Sequence, residues 1–580
     1  MSILSELKER FRKALLGMVD DPADLLELVR RGQDPKFGDY QANMAMPLSK
    51  RLGRPPREIA AEIVQRIEVA DICREPEIAG PGFINLRLKE QWLAEELSAA
   101  VLGPRLGVAP VTKPRTFVVD YSAPNVAKPM HVGHIRSTVI GDALCRVLRF
   151  LGHRAISDNH IGDWGTQFGM ILYGYKHFLD AEAYRQNPVE ELARLYRKVR
   201  SLMDEQPKIN LAVLTETAKL HAGDVENRRL WEEFLPHCED EIDRVYRRLD
   251  VKFDHTLGES FYHSRLGEIV DDLIKRGVAC ESEGAVCVFL DVAAVLVPMI
   301  VRKRDGAYLY ATTDLATLRY RMETWRPDAI LYVVDYRQSL HFQQLFAVAG
   351  MLGYDNVELQ HVSFGTVLGS DGRPFKTRSG DTVGLEGLLD EAVRRALQIV
   401  SAGDDAKPDG PELSAERRRQ VAETVGIAAL KYADLAQNRT SDYVFGYDKM
   451  LAMTGNTATY MQYAYARVRS IFAKGNVDVD ALCNSGAPIL LDSPAERALA
   501  LELLRFSEAL DLTVADYRPN QLTAYLFDLA NRYSTFFEQC HVLRAETDEL
   551  RQSRLLLCDL TARTIQKGLE LLGISVVERM

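Results

Sequence analysis

The stretch that decides the fold runs from Thr116-Phe-Val-Val-Asp120 through a connector at 121–130 to His131-Val-Gly-His134. Its first five residues form an apolar, β-rich run that is typical of a buried strand. Two prolines in the connector exclude a helix there. The residues that follow carry apolar side chains at helical spacing, and Gly152 ends the segment. A strand, a loop and a helix in this order predict a Rossmann-like, doubly wound α/β domain, which binds ligands beyond the carboxyl ends of its strands.

The double histidine lies at the predicted start of that helix. A helix N-terminus offers unpaired backbone N–H groups and a positive dipole end, which together bind phosphate. Gly133, between His131 and His134, has no side chain to obstruct a flat ligand. The motif alone is weak evidence, because two histidines can equally cap a turn. It indicates an anion site whose identity depends on the other motifs.

The composition is that of ordinary globular domains. A chain of 580 residues, with 47% hydrophobic and 27% charged residues, is long enough for roughly three or four domains with normal cores. The net charge of −10 excludes a protein coated with positive charge but leaves local basic grooves open. Asp291 and Pro298 interrupt the longest apolar run, so we expect no membrane span. The N-terminal segment, with its mixed charges, is not typical of a signal peptide.

The cysteines contain no C-x-x-C pair and no zinc-type spacing with histidine, although there are eight of them. We therefore expect no metal-ligand set. Cys280 and Cys287 come closest in spacing, and we expect them to be ordinary buried thiols on a β-hairpin. Free thiols in this number indicate a reducing compartment, so we expect a cytoplasmic protein.

Glycine and proline clusters divide the chain into three parts. We predict a small α+β domain at 1–110, an α/β domain at 111–400 and an all-α domain at 401–580. Charged helical periodicity predicts a helical insertion at about 180–273, between two halves of the parallel sheet.

Two local predictions concern the ends of the second domain. We predict a hairpin that pairs Met299–Arg302 with Ala307–Tyr310 across a turn at Asp305 and Gly306. We also expect the Gly-, Asp- and Pro-rich stretch 402–412 to be a surface loop.

Three further patches accompany the double histidine, and the first is Asn159–Gly169. It combines five polar side chains with three glycines directly after a predicted strand. Because glycine weakens regular structure, a binding site explains this composition better than packing does. Trp164, taken alone, is more typical of a core.

The second patch places Tyr310 and Asp314 four residues apart, with Asp335 and Gln338 at the end of the next strand. If a helix begins at Tyr310, the phenol and the carboxylate share one face. Such a set suits a cationic ligand, since a guanidinium pairs bidentately with a carboxylate. A surface salt bridge beside a half-buried tyrosine explains the spacing equally well.

The third patch, Phe364–Gly380, is a glycine-rich loop that carries Lys376 and Arg378 after the last predicted strand. Cations on such a loop fit a mobile anion clamp. Taken alone, the loop could equally be a solvated basic turn.

Together these motifs resemble one family, the bacterial-type arginyl-tRNA synthetases of class I. Phe37-Gly-Asp-Tyr-Gln41 is similar to the family's added N-terminal domain, so the resemblance covers essentially the whole chain. The other stretches that carry it are Ser122–Thr138, Gly162–Gly169, Tyr308–Asp314, Phe375–Gly380, Gly455–Arg467 and Glu578–Met580.

The resemblance implies an arginine–tRNA ligase whose substrates are ATP, L-arginine and tRNA(Arg), aided by Mg²⁺ and without zinc. Arginyl-adenylate and pyrophosphate form first, and the arginyl group then passes to the 3′-terminal adenosine of the tRNA. Attack by a carboxylate on the α-phosphorus needs charge stabilisation rather than a protein nucleophile. Members of the family generally need tRNA before they activate arginine, and we expect the same here.

The resemblance also implies roles in ATP chemistry. The two histidines would bind the phosphates and ribose, Gly133 would admit the adenine face, and Lys376 with Arg378 would close on the pyrophosphate. The residues implied for ATP binding are His131, Gly133, His134, Gly365, Val367 and Lys376.

One departure from the class I pattern concerns the basic loop. Its second lysine position is occupied by Thr377 or Arg378. Synthetases of this family with that deviation carry a lysine just before the double histidine, and Lys128 fills that place. We therefore predict that Lys128 contributes to binding the pyrophosphate.

The implied arginine pocket consists of Asp120, Asn125, Tyr310, Asp314 and Gln338. We expect Asp314 to be the main guanidinium partner, and Asp120 with Asn125 to bind the α-amino end. Lysine lacks the fork geometry of a guanidinium, so such a pocket is specific without editing.

The implied tRNA contacts lie at both ends of the chain. Tyr460, Tyr463, Tyr465 and Arg467 would stack on splayed anticodon bases. We expect one or two of these tyrosines to pack the helix bundle instead. Phe37 could contact the tRNA elbow.

Two other functions remain as alternatives. A glutamyl-type synthetase would need Arg or Lys where Tyr310 and Asp314 stand. A non-catalytic RNA-binding paralogue would usually lose active-site residues, whereas this chain keeps both histidines and Lys376. No obvious oligomerisation segment is present, so a monomer is the default expectation.

Overall fold

The N-terminal domain is a small antiparallel sheet flanked by helices. The structure is a computed structural model that describes residues 2–126, 128, 130–292, 295–375, 384–408 and 410–579. The domain's sheet has the strand order β1 (Val29–Arg31), β2 (Tyr40–Ala42), β4 (Phe83–Leu86), β3 (Glu77–Ala79). Its helices are α1 (Ile3–Ala14), α2 (Ala23–Leu26), α3 (Ala45–Leu52), α4 (Pro56–Arg66) and α5 (Glu90–Leu102). Helix α1 buries Ile3, Leu7, Phe11 and Ala14, which recur at helical spacing and face the sheet core.

The second domain is built on a five-stranded, all-parallel sheet. Its strands are β5 (Thr116–Asp120), β6 (Arg154–Asn159), β7 (His255–Thr256), β11 (Ala329–Tyr332) and β12 (Glu358–His361). The order is β12-β11-β5-β6-β7, so the first strand, β5, lies at the centre. The later strands β6 and β7 lie on one side of it, and β11 and β12 lie on the other. The predicted doubly wound α/β class is confirmed, and the carboxyl ends of β5 and β11 form the switch point where such sheets bind ligands.

Helices cover this sheet and form the insertion. They are α6 (Val132–Leu151), α7 (Thr166–Phe178), α8 (Ala181–Gln186), α9 (Pro188–Glu205), α10 (Pro207–His221), α11 (Val225–Leu249), α12 (Glu259–Tyr262), α13 (Leu266–Lys275), α14 (Tyr310–Thr324) and α15 (Ser339–Met351). The continuous helical run ends at Leu249, and edge strand β7 lies inside the boundary of 273 expected for the insertion. Two residues of strand are too few to show a periodicity in sequence.

A separate antiparallel sheet follows the insertion. Its strands are β8 (Cys280–Ser282), β9 (Ala285–Val292) and β10 (Val295–Arg302). The predicted hairpin with Ala307–Tyr310 is present only at its turn: Arg302 meets Tyr308 in an isolated antiparallel bridge, and the Lys303 backbone N–H donates to the Ala307 carbonyl at 2.9 Å, whereas β10 forms its strand pairing with β9. Tyr310 instead begins α14. The extended segment after the turn is therefore too short to continue the pairing.

The two closely spaced cysteines lie opposite each other on the β8–β9 hairpin, as the hairpin prediction requires. Both are free thiols. Cys287 is buried as expected, whereas Cys280 is exposed, since the short strand β8 has an open face.

The C-terminal part is helical. Its helices are α16 (Leu385–Asp405), α17 (Ala415–Leu435), α18 (Tyr447–Met450), α19 (Ala458–Gly475), α20 (Val479–Cys483), α21 (Pro494–Leu504), α22 (Phe506–Ala515), α23 (Asn520–Gln539) and α24 (Asp548–Leu571). A short parallel pair, β13 (Val367–Leu368) and β14 (Tyr443–Val444), ties the α/β domain to it. The expected loop at 402–412 begins as helix, because the Asp404 carboxylate accepts from two later backbone N–H groups and thereby orders the end of α16.

Charged contacts fix the N-terminal domain against the helical domain. Arg497 on α21 donates to both carboxylate oxygens of Asp39, at 2.9 and 2.7 Å. The Tyr40 hydroxyl donates to Glu508 on α22 at 2.9 Å. Within the described part of the chain, no helix is long and apolar enough to cross a membrane.

Candidate active site

The double histidine caps the helix that follows β5. His131 is the N-cap of α6, and its Nδ1 accepts from the backbone N–H of Gly133 at 3.1 Å. The Nδ1 of His134 accepts in turn from the backbone N–H of His131 at 2.9 Å. The rings lie 4.0 Å apart, centre to centre. Two N–H groups that a helix start leaves unpaired are thus satisfied by the motif itself.

This geometry fixes the protonation of both rings. An Nδ1 that accepts a hydrogen bond carries no proton, so each neutral imidazole has its proton on Nε2. Burial and the nearby charges of Lys128 and Arg337 lower the pKa of His131 to about 4. Burial, His131 and Lys128 lower the pKa of His134 to about 3. At neutral pH the two histidines are therefore uncharged and each offers an Nε2–H donor, near the cations Lys128 and Arg337.

Gly133 is required by the cap. A Cβ at this position would lie 2.9 Å from Cε1 of the His131 ring, closer than real contacts allow. The position of the His131 ring over the helix start thus explains why residue 133 is glycine. The predicted contact of Gly133 with adenine stays a prediction.

The second patch forms one helix face, as its spacing predicts. Helix α14 begins at Tyr310, and Asp314 follows one turn later. The sequence did not indicate His341 on α15, whose Nε2 lies 2.6 Å from an Asp314 carboxylate oxygen. The His341 ring also packs on Tyr310 at 4.8 Å, although the tyrosine is 62% exposed. Asp314 is therefore held in place by a buried ring while its other oxygen remains available.

A second carboxylate lies close enough to Asp314 to feel its charge. Glu259 begins α12, just beyond edge strand β7. Burial raises the pKa of Glu259. The charge of His160 lowers this pKa, whereas the charges of Asp163 and Asp314 raise it. The sequence did not indicate Glu259, because the signal that would have placed it is the two-residue strand before it. Two carboxylates that influence each other, with the Tyr310 phenol one helical turn from Asp314, favour a cation with several N–H donors.

Asp120 lies at the end of β5, but its carboxylate is engaged by a buried arginine. Arg321 on α14 is fully buried and contacts carboxylate oxygens of Asp120 and Asp158, each at 2.7 Å. The two carboxylates keep the Arg321 pKa well above its usual value despite burial. The predicted role of Asp120 toward an α-amino group stays a prediction, with part of its charge already neutralised.

Asn125 lies directly over Gly162. A Cβ on Gly162 would lie 2.3 Å from the Asn125 Oδ1, so only glycine admits the amide there. Gly162 also donates to Pro124 and accepts from Val126, which joins the connector to the segment after β6. Close packing thus accounts for this glycine of the first patch.

The rest of the first patch is also packed. A Cβ on Gly169 of α7 would lie 2.0 Å from Thr217 on α10. The glycine therefore allows the two helices to pack closely. Trp164 is buried, as expected of a core residue, and its Nε1 donates to His263 at 3.1 Å. For Gly169 the expectation that a binding site explains the glycines better than packing is wrong, whereas Gly162 packs on Asn125, which is itself a predicted site residue.

Gln338 is exposed in a short 3-10 helix, Tyr336–Gln338. The buried amide on the following helix is Gln344, one turn after His341. Gln338, which the sequence singled out, therefore lies at the surface, and its predicted contact with arginine stays a prediction.

Gly365 and Val367 lie where the sheet meets the helical domain. A Cβ on Gly365 would lie 2.6 Å from an Asp442 oxygen, and Val367 is buried in β13. Arg136 of helix α6 donates to the Gly365 carbonyl at 2.8 Å and pairs with Asp434 on α17 at 3.1 Å. The double-histidine helix is thus bonded both to the start of the basic loop and to the helical domain.

Lys376 and Arg378 lie outside the described residues. The residues on either side are anchored, and those that follow contact the double-histidine segment, where Gly384 forms a bridge with His131. Phe375 donates its backbone N–H to Val367 at 3.0 Å, and Leu385 donates to Met130 at 2.9 Å. Lys128 lines a small cavity of about 70 Å³ with Met130 and Leu385.

The residues predicted to contact anticodon bases differ in exposure. Tyr463 is 42% exposed and lines, with Arg467, an open groove of about 1170 Å³. The Arg467 guanidinium also lies over the Phe537 ring at 4.6 Å. Tyr460 packs against Phe527, and Tyr465 is 6% exposed in the core, a position that does not favour base stacking.

The groove is basic and includes the end of the described chain. Its cations are Lys407, Arg467, Arg469, Lys474 and Arg579. At the opposite end of the chain, Phe37 is 39% exposed, and Lys36 lies over its ring at 4.8 Å. Among the residues that the structure describes, no group of three His, Cys, Asp or Glu side chains could hold a metal ion.

Comparison with known proteins gives the family. Residues 96–447 match the family tRNA synthetases class I (R), catalytic domain, and a curated arginine–tRNA ligase of Rhodopirellula baltica is 47% identical over 674 residues, with all of both chains covered. The chain belongs to the arginyl-tRNA synthetase family. It is therefore an enzyme, and its activity is the ligation of arginine to tRNA.

The other comparisons extend over the whole chain. Residues 5–88 match the arginyl tRNA synthetase N terminal domain, and residues 461–580 match the DALR anticodon binding domain. An arginine–tRNA ligase of Yersinia pseudotuberculosis is 45% identical over 588 residues, with both chains fully covered. The Plasmodium falciparum arginyl-tRNA synthetase structure aligns with a TM-score of 0.84 at 29% identity, covering 100% of this chain and 99% of its own. The Thermus thermophilus enzyme aligns with a TM-score of 0.82 over all of both chains, and at 24% identity this likeness concerns the fold alone.

Proposed function

We propose that the switch-point site activates L-arginine with ATP. The two neutral imidazoles act there as hydrogen-bond donors to the phosphates. The observation that carries this is that two groups of opposite character lie in the segments that follow the strands of the parallel sheet. One offers Asp314 and Glu259 to a cation, and the other offers the Nε2–H groups of His131 and His134 beside Lys128 to an anion.

The activation step needs no protein nucleophile. An oxygen of the arginine carboxylate attacks the α-phosphorus of ATP, the bond to the bridging oxygen breaks, and pyrophosphate leaves with the electron pair. Negative charge accumulates on the phosphate oxygens, where donors that need no reorganisation lower the barrier most. His131 and His134 would supply those donors, and Lys128, Lys376 and Arg378 would bind the departing pyrophosphate.

Arginine recognition would rest on paired carboxylates. Asp314, oriented by His341, would bind the guanidinium bidentately, with Glu259 and the Tyr310 hydroxyl completing its donors. Asn125 would bind the α-amino end with Asp120. Gln338 stays part of the proposed pocket only at its exposed rim.

The remaining ATP contacts are proposed at Gly133, Gly365 and Val367. Mg²⁺ would neutralise phosphate charge when ATP is bound.

For the tRNA, we propose that Tyr463 and Arg467 bind anticodon bases in the basic groove, with Tyr460 at its edge. Tyr465 would support the helix from the core. Phe37 of the N-terminal domain would contact the elbow, and tRNA(Arg) would be needed for activation. We further propose a cytoplasmic monomer with domains at 1–110, 111–400 and 401–580.

Amino-acid-dependent exchange of pyrophosphate into ATP tests this proposal. The purified chain should support exchange with arginine in the presence of tRNA, and neither lysine nor glutamate should replace arginine. Exchange driven by glutamate, or no exchange with arginine and tRNA together, would overturn the assignment of this site.

A further inference from the structure

The loop that leaves β5 contains a strained turn. Ser122 and Ala123 have φ angles of 73° and 43°, in the left-handed region that non-glycine residues avoid. Among the described residues they are the only two consecutive non-glycine positions of this kind. Strain of this sort persists only where surrounding contacts enforce it.

The contacts that enforce the turn come from three elements. The Ser122 hydroxyl lies 2.7 Å from the hydroxyl of Tyr246 on α11 and 2.8 Å from that of Thr138 on α6. The Ala123 backbone N–H donates to Asn159, at the end of β6, at 3.0 Å. Apart from Ala123, these residues are at most 5% exposed.

The hydrogen bonds have one consistent direction. The Asn159 amide donates to the Tyr246 hydroxyl at 3.1 Å, so the phenol proton is free for Ser122. Thr138 donates its own proton to the His134 carbonyl at 2.8 Å and therefore accepts from Ser122. This series of hydrogen bonds runs from Asn159 through Tyr246, Ser122 and Thr138 to the backbone carbonyl of His134. Every hydroxyl in it both donates and accepts.

We propose that Tyr246 is a positioning residue for arginine activation, which holds the strained turn so that Asn125 and Lys128 are aimed into the site. The inference rests on the proposed function of that site. The turn is followed within two residues by Asn125, whose amide lies against Gly162 and whose backbone forms an isolated bridge with it. If the phenol bond is lost, the turn can relax toward ordinary φ values and withdraw the amide.

The same helix touches the loop at a second point. Glu241, Ile242 and Val245 of α11 line the small cavity that also contains Lys128. Tyr246 thus lies on a helix that contacts both ends of the connector. Its effect should fall on the arginine side through the turn, and on the phosphate side through Lys128.

The test is Tyr246→Phe, which removes only the hydroxyl. The matched control is Tyr525→Phe in the helical domain, a buried phenol that donates to the Glu502 carbonyl at 3.0 Å. In pyrophosphate exchange with arginine and tRNA, Tyr246→Phe should lower kcat/KM for arginine about 10- to 100-fold, mainly through KM, which is about the effect of losing the hydrogen bonds of one buried hydroxyl and the geometry they fix. The control should lose less than twofold, although both variants lower the unfolding temperature to a similar degree.

A rescue distinguishes positioning from stability. Glycine adopts positive φ without strain, so Ser122→Gly combined with Tyr246→Phe should recover much of the lost arginine kcat/KM. A Tyr246→Phe variant that stays within twofold of the control, or a double variant as impaired as Tyr246→Phe alone, would overturn the inference. Failure of the unsubstituted chain to exchange with arginine would instead overturn the proposed function.

Discussion

The double histidine performs two tasks with two different nitrogens, and substitutions can separate them. In His131→Asn the amide oxygen replaces Nδ1 and can still accept from the Gly133 backbone N–H, since asparagine is a good N-cap. The variant lacks any group at the place of Nε2. In His131→Ala both tasks are lost. The pair therefore isolates the Nε2–H donor from the cap.

The expected magnitudes differ for the two tasks. Loss of an N-cap costs about 1 kcal/mol, which raises local opening of the first turn of α6 about fivefold. Loss of one preorganised donor to a charged transition state lowers kcat by about 100- to 1000-fold. His131→Asn should therefore keep the helix start and lose most of the activity, whereas His131→Ala should lose both.

Hydrogen exchange at the first turn of α6 and pyrophosphate exchange measure the two effects side by side. Protection of the Gly133 and His134 amides should be unchanged in His131→Asn and about fivefold lower in His131→Ala, in line with the cap energy. If His131→Asn retains wild-type activity, the neutral-donor role is wrong. If its amides lose protection as in His131→Ala, the cap geometry is wrong.

Three further predictions follow from individual contacts. Gly162→Ala should lower kcat/KM for arginine at least about tenfold, because the new methyl displaces the amide above it, whereas Gly446→Ala, with nothing within 4 Å, should have no effect. Burial lowers the pKa of Lys431 from 10.5 to about 8, so at about 1.4 kcal/mol per pH unit its charge costs folding about 3 kcal/mol below pH 8, a cost relieved as pH rises toward 10.5. Thermal unfolding of Lys431→Met should therefore lack the relative gain that the unsubstituted chain shows between pH 7.5 and 10, and an unchanged gain would contradict the assignment. Tyr463→Ala should raise KM for tRNA about 10- to 100-fold without loss of stability, whereas Tyr465→Ala should cost about 3–5 kcal/mol of stability; equal behaviour of the two would contradict their placement.

The sequence was sufficient where local pattern and tertiary structure agree. The run from Thr116 to Gly152 has a β-rich segment, prolines and a helical period, and all three elements occur where they were predicted. The helix face that joins Tyr310 to Asp314 was predictable for the same reason, since it depends only on spacing.

The sequence was insufficient where the partner is remote. Arg321 neutralises Asp120 from 201 residues away, and nothing in either local pattern indicates this pair. Glu259 reaches the pocket through a strand of two residues, and His341 through the packing of two helices. The topology of the fold brings these groups together. A single amino-acid sequence does not reveal which remote side chains the topology places in contact.

The central claim is that Asp314, held by His341, selects the guanidinium of arginine. Asp314→Asn keeps the size of the side chain and removes the charge. Loss of a bidentate, charged pair of this kind is worth a few kcal/mol, so KM for arginine in pyrophosphate exchange should rise on the order of 100-fold or more while KM for ATP stays within about twofold. A variant whose KM for arginine is unchanged, or whose KM for ATP rises equally, would contradict the account.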